Sequence, residues 1–139
     1  MVTMNKQRKA IWDKSGGKCW YCGCDLPEKG WHADHFEPIH RKLKYDQKRG
    51  LYTTDECYHP ERDNADNKVP CCASCNIQKG MLTVEQFREK IVGFMNSLNL
   101  YYTQYAVAKR YGLIAETGKT VEFWFERNGK VSGERSEHA

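Results

Sequence analysis

Long apolar runs are missing from this 139-residue chain. No stretch approaches the roughly 18 residues that a bilayer-spanning helix requires, so a membrane partner is not expected. The segment Met1 to Ala10 also lacks the apolar core of a secretory signal, and a cytoplasmic location is expected. Internal repeats, low-complexity stretches and clear linkers are absent too, which leaves a single domain over 1–139 as the reading. Nor is there a broad excess of one charge. The formal net charge is +4, but residues 1–18 hold Lys6, Arg8, Lys9, Lys14 and Lys18 against Asp13 alone, so the rest of the chain balances 17 basic with 17 acidic groups. With 40% hydrophobic and 29% charged residues and a mean hydropathy of -0.82, the composition is that of a globular protein rather than a disordered one.

Cysteine is what the chain has in excess. Seven are present, an odd number, and without a secretory signal thiols stay reduced. Metal ligation is therefore expected over a disulfide framework.

The pattern of apolar, glycine and turn residues divides the chain. Lys6 to Lys14 has helical composition, anchored by Ile11 and Trp12 and stopped by Ser15, Gly16 and Gly17. Trp31 to Phe36 alternates as a short strand, and Lys68 to Cys72 reads as a second, leading into a helix over Ala73 to Lys79. Between them His40 to Asp66 forms a connection too long to be structureless without purpose. Thr83 and Gln86 form a capping box ahead of Val84, Phe87, Ile91, Phe94 and Leu98, an amphipathic helix by spacing. Leu100 to Tyr111 reads as a further helix. Thr120 to Glu126 alternates Val121, Phe123 and Phe125 with Glu122, Trp124 and Glu126, which predicts a strand. A polar tail follows from Asn128.

Chemistry concentrates in three places. Cys19-Trp-Tyr-Cys22 and Cys72-Ala-Ser-Cys75 are two C-x2-C knuckles separated by 49 residues, positions 23 to 71. Together they supply four thiolates for a closed, tetrahedral, structural zinc site. Such metal binding is worth about 10–16 kcal/mol in small peptides, as much as a domain's net stability. Cys71 is an alternative partner for Cys75, while Cys24 and Cys57 are left over; Cys57 and His59 offer only two ligands for any second site. The second place is Trp31-His32-Ala33-Asp34-His35-Phe36-Glu37-Pro38. Adjacent Asp34 and His35 point to opposite sides of a strand unless a bend brings the carboxylate to a metal and the imidazole to a substrate. The third is Asp66-Asn67-Lys68-Val69-Pro70, followed by the second knuckle and Asn76-Ile-Gln-Lys79-Gly80, in which the knuckle fixes Asn76 on the first turn of the helix.

Cys-x2-Cys, Asp-His-x2-Pro, Asp-Asn-x-Val-Pro and Cys-x2-Cys-Asn-x2-Lys-Gly, in this order, resemble the HNH endonucleases, in particular the small free-standing ones of bacteriophage and bacterial genomes. The likeness covers about Lys14 to Phe87. It implies an α+β fold: a ββα-metal core stapled by the four-cysteine zinc over about 14–87. An N-terminal helix flanks this core, with helices and a terminal strand in an extension over 88–127 and the tail at 128–139. Carried over by position, His35 resembles the general base and Asn67 the residue that steadies the loop bearing it, while Asp34 and Asn76 resemble the ligands of a catalytic divalent ion. Asparagine stands where the family name has its last histidine. An amide oxygen is a harder ligand than imidazole and favours Mg²⁺ or Mn²⁺ over Zn²⁺ or Ni²⁺. The implied activity is hydrolysis of DNA phosphodiester bonds, by nicking or double-strand cleavage, leaving 5′-phosphate and 3′-hydroxyl ends. The implied setting is a bacterial or phage-infected cell.

Lys79 is read either as a phosphate contact or as a solvated helix-end lysine. Arg41, Lys42 and Lys44, with Lys48 and Arg49, form a basic patch expected to track a DNA backbone, and the basic front segment is a similar candidate. A homodimer would supply the two active sites that double-strand cutting wants. The competing readings are a non-catalytic zinc module that binds nucleic acid and a thiol-redox protein built on Cys19 and Cys22.

Overall fold

The computed structural model, which describes residues 4–130, contains five helices and two small antiparallel sheets. The first helix, α1 (Lys6–Trp12), starts where the Asn5 side chain accepts the Arg8 N–H, and buries Ile11. The chain then makes the first knuckle, whose Trp20 N–H bonds to Pro70 O at 2.8 Å. Strand β1 (His32–His35) pairs antiparallel with β4 (Lys68–Cys71), setting Asp34 opposite Val69 and His35 opposite Lys68. Helix α2 (Ala73–Lys79) follows directly from β4, capped by Cys72. No helix among the described residues is long and apolar enough to cross a membrane.

The long connection has its own structure. Strands β2 (Arg41–Asp46) and β3 (Gly50–Cys57) form a hairpin, followed by two single 3-10 turns, Pro60–Arg62 and Ala65–Asn67. Neither hairpin strand contributes a buried residue. Helix α3 (Val84–Tyr101) has the expected Thr83–Gln86 capping box, and its apolar stripe turns inward, Phe87 being fully buried. It breaks at Tyr102 and continues as α4 (Thr103–Arg110).

The core is aromatic. Tyr21 lies at its centre, stacked on Phe36 at 6.4 Å and meeting Phe87 and Phe123 edge-on at 5.6 and 5.7 Å, with Trp20 stacked on Phe125 beside it. Such ring pairs add about 0.5–1.5 kcal/mol each beyond the area they bury.

The terminal strand expected over Thr120–Glu126 is not formed. Phe123 and Phe125 are buried as the alternation suggested, but no free sheet edge accepts them. The N–H groups of Trp124 and Phe125 bond instead to Tyr21 O and Trp20 O of the knuckle, at 2.8 and 3.0 Å. The Glu126 carboxylate then accepts the Phe123 N–H at 2.9 Å, which closes a helical turn, α5 (Trp124–Arg127). Most of the polar tail lies outside the described residues.

Several cations of the basic front segment have partners within the chain. Arg8 donates to Trp31 O and stacks on the Trp31 ring, Lys9 pairs with Asp13, and Lys18 pairs with Asp25. The Lys14 ammonium caps the carbonyls of Ala65, Asp66 and Lys68, fastening α1 to the turn before β4.

Candidate metal centre and adjoining cleft

The sulfurs of Cys19, Cys22, Cys72 and Cys75 lie within 4.8 Å of one another. A tetrahedron of sulfurs about 2.3 Å from a zinc ion has edges of about 3.8 Å, and Cys22 Sγ is 3.8 Å from Cys72 Sγ. The four can therefore hold a metal such as zinc. Local backbone geometry prepares them: the Cys72 N–H points to Cys19 Sγ and the Cys75 N–H to Cys72 Sγ, both at 3.4 Å. Hydrogen bonds from the Cys71 and Cys75 thiols hold the Cys19 thiol far below its ordinary range, and burial pushes Cys22 up to about 12. Bonding to Cys19 in turn holds Cys71 and Cys75 well above theirs. A cation bound among the four would offset the charge of their thiolates. Cys71, the alternative ligand, is buried on β4 with its thiol on Cys72 O, while Cys57 lies apart on β3.

The two knuckles also position what lies beside them. Asn76 follows Cys75 on α2, and Asp34 and His35 end β1, which α2 packs against. All three line one open cleft of about 310 Å³, with Arg41 and Thr53 of the hairpin forming part of its wall. Asp34 points inward and is 7% exposed. Its Oδ2 accepts the Tyr21 hydroxyl at 2.6 Å and lies 3.2 Å from the Lys79 ammonium. Among the described residues no hydrogen bond engages its Oδ1 or the Asn76 side chain, so both have oxygens to offer a cation in the cleft. Burial raises the Asp34 carboxyl above its usual range, against the opposing pull of Lys79 and Tyr21. The same burial, with the Asp34 charge beside it, raises Tyr21 well above the usual phenol range, so Tyr21 stays a donor.

His35, on the same cleft, is tethered by a second carboxylate. Its Nε2 is 2.9 Å from Asp63 Oδ1, which also lies 3.6 Å from the Lys68 ammonium. The bond to His35 and the nearby Lys68 hold Asp63 below the ordinary carboxylate range. The chain bends just after His35, at Phe36 and Glu37, and Asn67 straps that bend. The Asn67 Oδ1 accepts the Glu37 N–H at 2.9 Å, and its Nδ2 donates to Glu37 O and Arg62 O at 2.8 and 2.7 Å.

Lys79 does not reach a surface. Its side chain is fully buried, one helical turn from Asn76, with the ammonium donating to His35 O at 3.0 Å and facing Asp34. Neither the phosphate contact nor the solvated lysine survives, because a buried ammonium needs these partners. Arg41, Lys42 and Lys44 fall on β2; Arg41 faces the cleft, and the Lys42 ammonium lies over the Tyr58 ring. Reading the sequence missed two residues. Tyr21 sits inside the first knuckle with nothing to mark its hydroxyl, and Asp63 lies in a turn-rich segment where carboxylates are ordinary.

Compared with known proteins, the chain matches no family model, no curated protein and no solved structure.

Proposed function

We propose that this chain is a metal-dependent endonuclease of the HNH type that hydrolyses DNA phosphodiester bonds, with the four-cysteine cluster holding a structural zinc. The observation that supports it most is the convergence of Asp34, His35 and Asn76 on one open cleft, with Asp34 Oδ1 unengaged. A divalent ion such as Mg²⁺ or Mn²⁺, when bound there, would supply positive charge against the anionic phosphate and its leaving oxygen. Asp34 and Asn76 are the residues that would hold it, and hard oxygen donors suit those ions.

With Asp63 accepting from Nε2–H, the basic lone pair of neutral His35 lies on Nδ1, and this nitrogen takes the proton from the attacking water. Asp63 then offsets the imidazolium formed and fixes the ring. Asn67 holds the backbone on which the ring is mounted, and Lys79 and Tyr21 keep Asp34 in place.

Supercoiled-plasmid cleavage tests the reading. Nicking with Mg²⁺ or Mn²⁺ is expected, and His35→Ala should slow it by about 10² to 10⁴, the usual worth of a general base. No nicking with either ion, or undiminished nicking by His35→Ala, would overturn it.

A further inference from the structure

The hairpin β2–β3 stands apart from the core. Its strands pack on each other, it buries none of its residues, and an isolated two-stranded ribbon is marginal in water. Yet it is built with care at its tip. Asp46 Oδ1 accepts the N–H groups of Lys48 and Arg49, its Oδ2 holds the Arg49 side chain at 2.6 Å, and that guanidinium lies 3.8 Å above the Tyr52 ring. Gly50, at φ +69, provides the left-handed turn residue.

The two faces differ. Leu43 stands opposite Thr53 and Tyr45 opposite Leu51, so these four share one face, and Thr53 turns that face toward the cleft. Leu43, Tyr45 and Leu51 are 56%, 69% and 71% exposed. The other face bears Lys44, Lys42 lies at the irregularity between Arg41 and Leu43, and Lys48 tops the loop. Over the whole hairpin, Arg41 to Cys57, five basic residues stand against three acidic ones, and Asp55 and Glu56 lie at its base, away from the tip.

We infer that this hairpin docks the protein on duplex DNA by entering a groove beside the cleft, an inference that rests on the nuclease reading for its choice of partner. Two strands about 4.8 Å apart fit within the major groove, about 12 Å wide, which admits a β-ribbon. The face with Leu43, Tyr45 and Leu51 meets base edges, where apolar side chains contact thymine methyl groups. Lys42, Lys44 and Lys48 reach the flanking phosphates. A second copy of the chain would also cover apolar residues, but the surplus of cations on the ribbon would repel its own like.

Fluorescence-anisotropy titration of a labelled 20-base-pair duplex, without Mg²⁺ or Mn²⁺ and over a range of KCl concentrations, tests this. Replacing Lys42, Lys44 and Lys48 by Gln should weaken binding tenfold or more and flatten the slope of log K against log salt by about 2 to 3, at about 0.9 per phosphate contact. Leu43→Ser with Leu51→Ser should weaken binding with the slope kept. Lys48→Gln, outside the strand pairing, should lower the slope by about 0.9 with no risk to the ribbon. Wild-type affinity and slope in the lysine variants overturns the inference, as does a wild-type protein that does not bind duplex. A leucine variant that changes oligomeric state while binding DNA normally overturns it in favour of a second copy. Binding is read without cleavage, so a protein that binds as expected but never nicks would refute the nuclease reading alone.

Discussion

Lys79→Met gives the sharpest test of how the cleft is held. The substitution keeps an apolar, unbranched side chain of similar reach in the space, and removes the ammonium that faces Asp34 Oδ2 at 3.2 Å and His35 O at 3.0 Å. Asp34 and Lys79 are both buried, so without the ammonium the Asp34 carboxylate would keep only the Tyr21 hydroxyl. Removing one member of a buried ion pair costs about 3–5 kcal/mol, a large part of a domain's net stability. The loss should depend on pH. Burial already raises Asp34 above its ordinary carboxyl value of 3.8, and losing Lys79 raises it further. A carboxyl whose folded-state value is raised destabilises the fold once it ionises in the unfolded chain. The deficit of the variant is therefore largest near pH 8, shrinks as pH falls toward 4, and falls to the lost hydrogen bond on His35 O where Asp34 is protonated in both states. Urea denaturation followed by tryptophan fluorescence, with zinc present, reads this at several pH values. Adding Asp34→Asn to Lys79→Met should restore much of the loss at pH 8. A deficit under about 1 kcal/mol at pH 8, or one that does not change with pH, would refute the argument.

Other outcomes follow from the same geometry. Stripping metal with a chelator, or Cys22→Ser, should abolish the cooperative unfolding transition and bound zinc together, read by near-ultraviolet circular dichroism and metal analysis. Gly23→Ala should destabilise by about 1–3 kcal/mol in urea denaturation, because φ is +80 and a Cβ would come 2.8 Å from Trp124 Cδ1. Asn67→Ala removes two hydrogen bonds that strap the bend after His35 and a third that ties it to Arg62 O. It should lower plasmid-nicking kcat about tenfold or more while leaving the KM for DNA little changed, because a displaced base spoils geometry rather than binding.

What the sequence made legible was local. The helix over Ala73–Lys79, the capping box at Thr83 and the two strands that carry Asp34 and Val69 follow from signals within a few residues of one another, whereas the pairing of those strands was implied by the resemblance alone. The knuckles were legible despite 49 intervening residues because C-x2-C spacing is itself a local signal. What was not legible depends on which surface a segment meets. Phe123 and Phe125 alternate as in a strand, but the surface they meet is the backbone of Trp20 and Tyr21, which leaves them no ladder to join. Lys79 reads as a surface lysine until Asp34 is placed opposite it. Asp63 is found only when the turns after the hairpin bring it back to His35.

The wide spacing of the two knuckles bears on how chain length can vary. Bringing together ends separated by 49 residues costs about 3.4 kcal/mol in loop entropy, growing only with the logarithm of length. A hairpin that forms first shortens the loop by about a third, and this relieves only about 0.4 kcal/mol. Ribbons longer or shorter than this one would thus close the cysteine cluster almost equally well. The helix that begins at the second knuckle has no such latitude. One residue inserted between Cys75 and Asn76 would turn Asn76 by about 100° and carry it out of the cleft. Insertions and deletions should therefore be tolerated between Lys42 and Tyr52 and excluded between Cys72 and Lys79, so that the reach of the ribbon can diverge while the cleft stays fixed.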